Sequence, residues 1–298
     1  MTPLIDADIL LHELGWSGEF KNKEEQDGLE VGEIVLFPFE KVQELLDEKI
    51  RGICLDVDAT GPPILFITNS DWITKHLNRI RKYTGAEKCY HVSGYRYDIA
   101  KTKPYKGTRH NPKPYHFYNI ITYLIAEYDV RISRGGLEAD DEMCLYQTKQ
   151  DNTIICSRDK DLRICPGWHY SWECGGQRSV GPHYTDTIGS LSLVVKEFVN
   201  EVTKKVTTTK EIKGYGLKFF FAQMLTGDTA DNIPGLPKVG AVGAYNLLSP
   251  LNTEKGLLHA VADLYTTKMG DQAKTYFREQ ADLLWMQQEG KPRYKFGG

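Results

Sequence analysis

The sequence predicts an α/β protein with a central, mainly parallel sheet flanked by helices. Short apolar runs alternate with helically spaced segments, as strand–helix–strand units do. The runs at 64–68 and 153–157 are apolar at 64–67 and 154–156 and read as buried strands. Acids recur directly after strands or at the start of helices, where open sheets of this class build their sites.

The elements follow in order along the chain. Leu4-Ile5 ends a first short strand, and Phe39, Val42, Leu45, Leu46 and Ile50 recur at helical spacing. Gly61-Pro62-Pro63 is a turn that delivers the strand Ile64 to Thr68, with Asn69, Ser70 and Asp71 at its carboxyl end. Residues 73–114 are broken by Gly85, Gly94, Pro104, Gly107, Pro112 and Pro114, too often for one long helix, and read as a mobile crossover or arch. Tyr115 to Tyr128 is helical and Val130 to Ile132 a strand. Leu137 to Gln147 is a helix that opens with acids, and Thr153 to Ser157 a strand that runs into Arg158-Asp159-Lys160-Asp161. Trp168 and Trp172 read as core residues, Gly175-Gly176 as a turn, and Lys204 to Lys210 as an exposed hairpin. From Leu217 the pattern is helical, interrupted by the glycine-rich stretch 233–243. Two units are expected, an α/β unit over 1–215 and a helical module over 216–298.

Composition is that of an ordinary globular chain: 298 residues, 41% hydrophobic, 26% charged, net charge −3. No apolar run approaches the ~20 residues that span a bilayer, and Asp6 falls where a secretory signal would be apolar, so a soluble, intracellular protein without a membrane partner is expected. The six cysteines form no Cys-x-x-Cys pair, which disfavours a zinc module or a disulfide scaffold. The near-neutral mean conceals segregation. Residues 73–113 carry eleven Lys and Arg against two acids, and residues 138–161 carry seven acids against three bases. A polyanion-binding segment beside a cation site has this pattern, and so do two solvated faces of opposite sign.

Glu138 and Asp141 are three apart on one helix face with Asp140 beside them, so three ionised carboxylates would repel unless a cation relieved them. Hard oxygen ligands favour Mg²⁺ or Mn²⁺. Asp159 and Asp161 are spaced to serve one ion from a turn, and Asp228 and Asp231 are spaced to share a helix side. The ordinary alternatives are a dipole-favoured first helical turn, loop acids and caps.

Taken together the motifs resemble those of the flap endonuclease/5′-exonuclease family, in the family's order. They are Ile5-Asp6-Ala7-Asp8, Tyr105-Lys106-Gly107-Thr108-Arg109, Glu138-Ala139-Asp140-Asp141, Asp159-x-Asp161, and Gly227-Asp228-x-x-Asp231-Asn232-Ile233-Pro234-Gly235 followed by Gly240 and Gly243. The opening Asp-x-Asp is similar to the phage exonuclease branch. The resemblance implies a PIN-like fold with an arch and a helix–three-turn–helix over about 217–250. It implies a two-metal phosphodiesterase using Mg²⁺, with Mn²⁺ as substitute, on DNA with a 5′ end, nick or flap, and on RNA in RNA–DNA hybrids. Asp6, Glu138, Asp140 and Asp141 would serve one ion, and Asp159, Asp161, Asp228 and Asp231 the other. Lys106, Arg109 and Arg96 would act on phosphate. Gly235, Gly240 and Gly243, with Lys238, would meet duplex phosphates, with K⁺ sharing the turn. Lys101, Lys103 and Tyr105, with Tyr95 and Tyr97, would meet nucleic acid from the arch. A monomer in the cytoplasm of a bacterial or phage-infected bacterial cell is expected.

Two departures stand out. Asn69 occupies a place where the family usually has a metal-binding aspartate, so that either Asp71, two positions on, substitutes after a shifted turn or the first ion is bound less tightly, and Val242 stands where many relatives have lysine. A structure-specific DNA-binding protein with weakened catalysis and a ribonuclease on a related acidic fold remain the alternatives.

Overall fold

The computed structural model describes residues 1–26, 29–84, 91–109, 112–199 and 203–294. Its central sheet has six strands in the order β5 (Asp129–Ile132), β4 (Ile64–Ile67), β1 (Thr2–Asp6), β6 (Thr153–Cys156), β7 (Gly167–Ser171) and β8 (Val180–Thr185). All neighbours pair in parallel except β7 and β8. Chain order departs from spatial order at β1, which lies between β4 and β6. The carboxyl ends of these three strands therefore converge.

Alternation along the strands divides the core into two layers. Ile5, Leu65, Ile67, Ile154 and Cys156 face α1 (Ala7–Leu14), α2 (Phe39–Asp56) and α5 (Phe117–Glu127). Leu4, Ile64, Phe66 and Ile155 face α6 (Ala139–Lys149) and the C-terminal helices. Those helices are α7 (Gly216–Thr226), α8 (Ala241–Leu248), α9 (Glu254–Met269) and α10 (Ala273–Leu284). The boundary expected at 215/216 coincides with the start of α7, but Phe220, Phe221 and Leu225 pack into the same core as the sheet. Full burial of each such side chain contributes roughly 1.5–3 kcal/mol, so this module is the sheet's second covering layer.

Several expectations change. Residues 73–114 hold α3 (Asp71–Thr84) and a short α4 (Tyr95–Ile99), and positions 85–90 and 110–111 of the expected arch lie outside the described residues. An antiparallel pair, β2 (Gly18–Gln26) with β3 (Leu29–Leu36), had no counterpart in the sequence reading. Lys204 to Lys210, expected as a hairpin by itself, instead leads into and begins the second strand of a longer one, β9 (Ser190–Val199) with β10 (Val206–Tyr215). Trp172 is core, at 2% exposure, but Trp168 is 39% exposed beside Tyr184 on the antiparallel edge. Asp228 and Asp231 share no helix. Gly227 ends α7 at φ 76°, and a Cβ there would lie 2.4 Å from the Ile233 carbonyl oxygen, so only glycine lets the chain fold back at this point. The segment 227–240 then runs through turns to α8, giving the helix–three-turn–helix arrangement.

Candidate active site

A cleft of about 870 Å³ opens at the carboxyl ends of β1, β4 and β6. Asp6 ends β1 and caps α1. Ser157, just after β6, donates its hydroxyl to Asp6 Oδ2 at 2.7 Å and accepts the Asp159 N–H at 2.9 Å. One side chain thereby aligns two acids. Asp159 Oδ1 accepts the Asp161 N–H at 2.8 Å, which fixes the turn holding both. Glu138 caps α6 in a reciprocal capping box with Asp141, and Asp140 lies in the helix's first turn. Thr68 ties the end of β4 to that helix by accepting the Ala139 N–H at 2.9 Å.

Burial and mutual repulsion set the electrostatics. Burial pushes the Asp6 carboxyl up to about 8, assisted by Asp8 and Asp159. Burial raises Asp140 well above the carboxylate range, with Asp159 and Asp6 adding to it. Burial and Asp159 push Asp161 up to about 7. Burial also raises Asp8 and Asp231. Two acids go the other way. Burial opposes ionisation of Glu138, but Lys106 and Arg96 hold it below the ordinary range, and Lys160 does the same for buried Asp228.

Basic groups reach in from two sides. Lys106 Nζ is 2.5 Å from Glu138, and Arg109 contacts Asp231 at 2.5 Å. Lys106 has a left-handed backbone (φ 52°), a cost of roughly 1–2 kcal/mol for a side-chain-bearing residue. Its N–H, donated to the Asp231 carbonyl at 3.0 Å, helps hold that conformation. Lys160 bridges Asp161 and Asp228, and Gln223 of α7 donates its amide to Asp161.

The structure relocates several of the expected site residues. Arg96 is not a phosphate contact. It is 1% exposed and makes a two-pronged pair with Asp141 at 2.6 and 2.9 Å, while also donating to the carbonyls of Leu283 and Trp285. Asp141, at 0% exposure, is consumed by that pair and does not face the cleft. Tyr105 is buried, with its hydroxyl donated between Glu138 (2.9 Å) and Asp231 (3.0 Å), and offers no stacking face. Half-exposed Tyr97, edge-on to it, does. Asn69 accepts from the Ser70 N–H and the Thr74 hydroxyl through the one oxygen it could give an ion. Asp71 is exposed on the cleft lining in the first turn of α3. Asp228 and Asp231 diverge, the first toward Asp161 and the second toward Tyr105 and Arg109.

Asp8, Ser157, Lys160 and Gln223 were missed. Asp8 is the most consequential: both its carboxylate oxygens accept the Thr68 N–H at 3.2 Å, so an acid from α1 covers the end of β4, where Asn69 supplies none. Its one sequence signal was the Asp-x-Asp at 6–8.

As the side chains stand, no group of three acids, histidines or cysteines among the described residues could hold a metal ion. Lys106, Lys160 and Arg109 occupy the carboxylates instead. The donor set nevertheless fits hard divalent cations: the acids that line the cleft offer carboxylate oxygens, and the raised proton affinities of Asp6, Asp140 and Asp161 mark a site short of positive charge. The five described cysteines are free.

In the glycine-rich turn, Gly235 is not open to phosphate. Its N–H is donated to Gln280 Oε1 at 3.0 Å and its carbonyl accepts from Tyr276 at 2.6 Å. Gly240 is the residue before α8, and a Cβ there would meet nothing within 4 Å. The first-turn N–H groups of Ala241, Val242 and Gly243 have no partners within the helix, and Lys238 lines the same shallow groove. The side chains of Lys101 and Lys103 are exposed.

No protein-family model matches the chain. Among solved structures it is similar to the T5 D15 protein co-crystallised with metal ions, at a TM-score of 0.48 and 14% identity, over 94% of this chain and 87% of that one. No described helix is long and apolar enough to cross a membrane.

Proposed function

We propose that this chain is a metal-dependent, structure-selective 5′–3′ exonuclease or flap endonuclease that hydrolyses DNA phosphodiesters at or near 5′ ends. One observation carries the reading: a cleft at the carboxyl edge of a parallel sheet gathers Asp6, Asp8, Glu138, Asp140, Asp159 and Asp161 beside Lys106 and Arg109.

Asp6, Asp8, Asp140 and Glu138 would hold one divalent ion, and Asp159, Asp161 and Asp228 a second. Bound Mg²⁺ or Mn²⁺ supplies a water of lowered pKa and neutralises charge on the phosphoryl oxygens. This chain's own residues do the rest. Ser157 and Gln223 orient Asp6 and Asp161. Lys106 and Arg109 are released from their carboxylates to offset charge on the scissile phosphate. The open first turn of α8 with Gly240, Gly243 and Lys238 binds duplex backbone through N–H groups and charge, a contact that positions without reading sequence. A K⁺ ion at that turn would act on the same phosphates.

The test is product analysis on 5′-labelled blunt, nicked and flapped duplexes, with matched RNA-containing strands. Cleavage near the 5′ end that stops with chelator and returns with Mg²⁺ is expected. Cleavage that persists in full with chelator would refute the reading.

A further inference from the structure

We propose that the β9–β10 ribbon is a second duplex-binding element, which carries the phosphate contact of the α8 turn farther along the double helix. The inference rests on the duplex-binding role given to that turn.

Register and exposure carry it. In the antiparallel pairing Lys210 lies opposite Val195, Thr208 opposite Glu197 and Val206 opposite Val199, so these six share one face. At its base the same face is anchored, because Leu191 and Ile212 pack against the core. Farther out it is uncovered: Val195, Val199 and Val206 are 53–58% exposed. Lys210 lines one groove with Lys238 and the 239–243 turn, so the ribbon face and the α8 N-terminus form a continuous surface. Lys204 and Lys205 are exposed just before β10. Glu197 is the one acid on this face of the paired strands, and on the opposite face Glu211 is neutralised by Lys196.

Dimensions fit a duplex. A strand rises ~3.3 Å per residue, so Lys205 lies ~17 Å beyond Lys210, the length of about five base pairs. A two-stranded ribbon is also one of the elements a DNA groove admits. At the tip Lys204 and Lys205 outnumber Glu201, and that charge, with its continuity with the turn and Lys210 beside Lys238, argues for nucleic acid backbone over a protein partner.

The experiment measures duplex affinity by fluorescence anisotropy in chelator, so that binding is read without cleavage, with 12- and 24-base-pair duplexes over a salt series. Lys204, Lys205 and Lys210 are changed together to serine. The expected result is a roughly tenfold or greater loss on the longer duplex, a smaller loss on the shorter one, and a salt slope lower by about 2–3, near 0.9 per lysine. Lys238→Ser is the control for the underlying reading. If it weakens binding while the triple variant does not, the ribbon proposal falls and the turn's role stands. If the parent has no duplex affinity, both fall. If the triple variant retains affinity while Val195→Ser with Val206→Ser turns a dimer into a monomer in sedimentation, the ribbon face is a contact between copies and the proposal is wrong.

Discussion

Asp140 and Asp141 are adjacent carboxylates in the first turn of α6, the first lining the cleft and the second fully buried, and they belong to opposite kinds of site. Asp141 meets the Arg96 guanidinium in a two-pronged pair that also ties α4 and α6 to the end of α10. Asp140 meets other carboxylates and is driven toward its protonated form by burial, Asp159 and Asp6. One carboxylate is spent on cohesion and the other is left among like charges. A buried charge is tolerable when paired, and an unpaired one is costly until something binds it.

The comparison can be broken first on its cohesive side. Arg96→Met leaves Asp141 buried without a counter-charge, held only by the Glu138 and Gln287 N–H groups, and should cost about 3–5 kcal/mol of stability, read as a lower denaturant midpoint. A paired change to Arg96→Met with Asp141→Leu should recover much of that loss, and failure to recover would mean that the carbonyl contacts of Arg96 dominate. Asp140→Asn should do the reverse. Turnover should fall at least about a thousandfold, roughly 4 kcal/mol of barrier, while the metal-free protein melts no lower than the parent. A thermal melt beside a single-turnover assay checks both parts.

A pH titration sharpens the contrast. Asp6, at about 8 in the fold against an ordinary 3.8, keeps its proton in the folded state where the unfolded chain has lost it. The folded state therefore binds more protons between those values, and stability of the metal-free protein falls as pH rises through this range. Its melting temperature should drop between pH 5 and 8.5, and Mg²⁺ should raise it most at the upper end. A flat profile would show that Asp6 is solvated or already neutralised.

Smaller effects probe the basic groups and the strand end. Lys160→Met removes the ammonium that pairs with Asp161 and Asp228 and should tighten Mn²⁺ binding about tenfold in calorimetric titration, near 1.4 kcal/mol. Unchanged affinity would mean that Lys160 does not compete with the ion. Asn69→Asp should shift the Mg²⁺ requirement by only a few-fold, because Asp8 already covers the end of β4. Asp8→Asn should shift it more.

Much of the molecule follows from local pattern. The short apolar runs within 64–68 and 153–157 became β4 and β6, because a strand buried on both faces has few other ways to hide its side chains. Gly227 and Gly235 admit the turns after α7, since a positive φ beside a close backbone approach admits little but glycine, whereas the spacing of Asp228 and Asp231 pointed to a shared helix side that the chain does not form. The placement of acids at strand ends was also legible, as it depends only on where each strand stops. What only the tertiary structure decided is which carboxylates receive a counter-charge. Arg96 is 45 positions from Asp141, and Asp8 is 60 from Thr68. Those pairings depend on how α4, α10 and β4 pack, which no spacing within a motif encodes. A carboxylate's role is set by the dielectric and the charges that folding brings to it, so identical residues in one helical turn could be assigned apart only after the chain had closed around them.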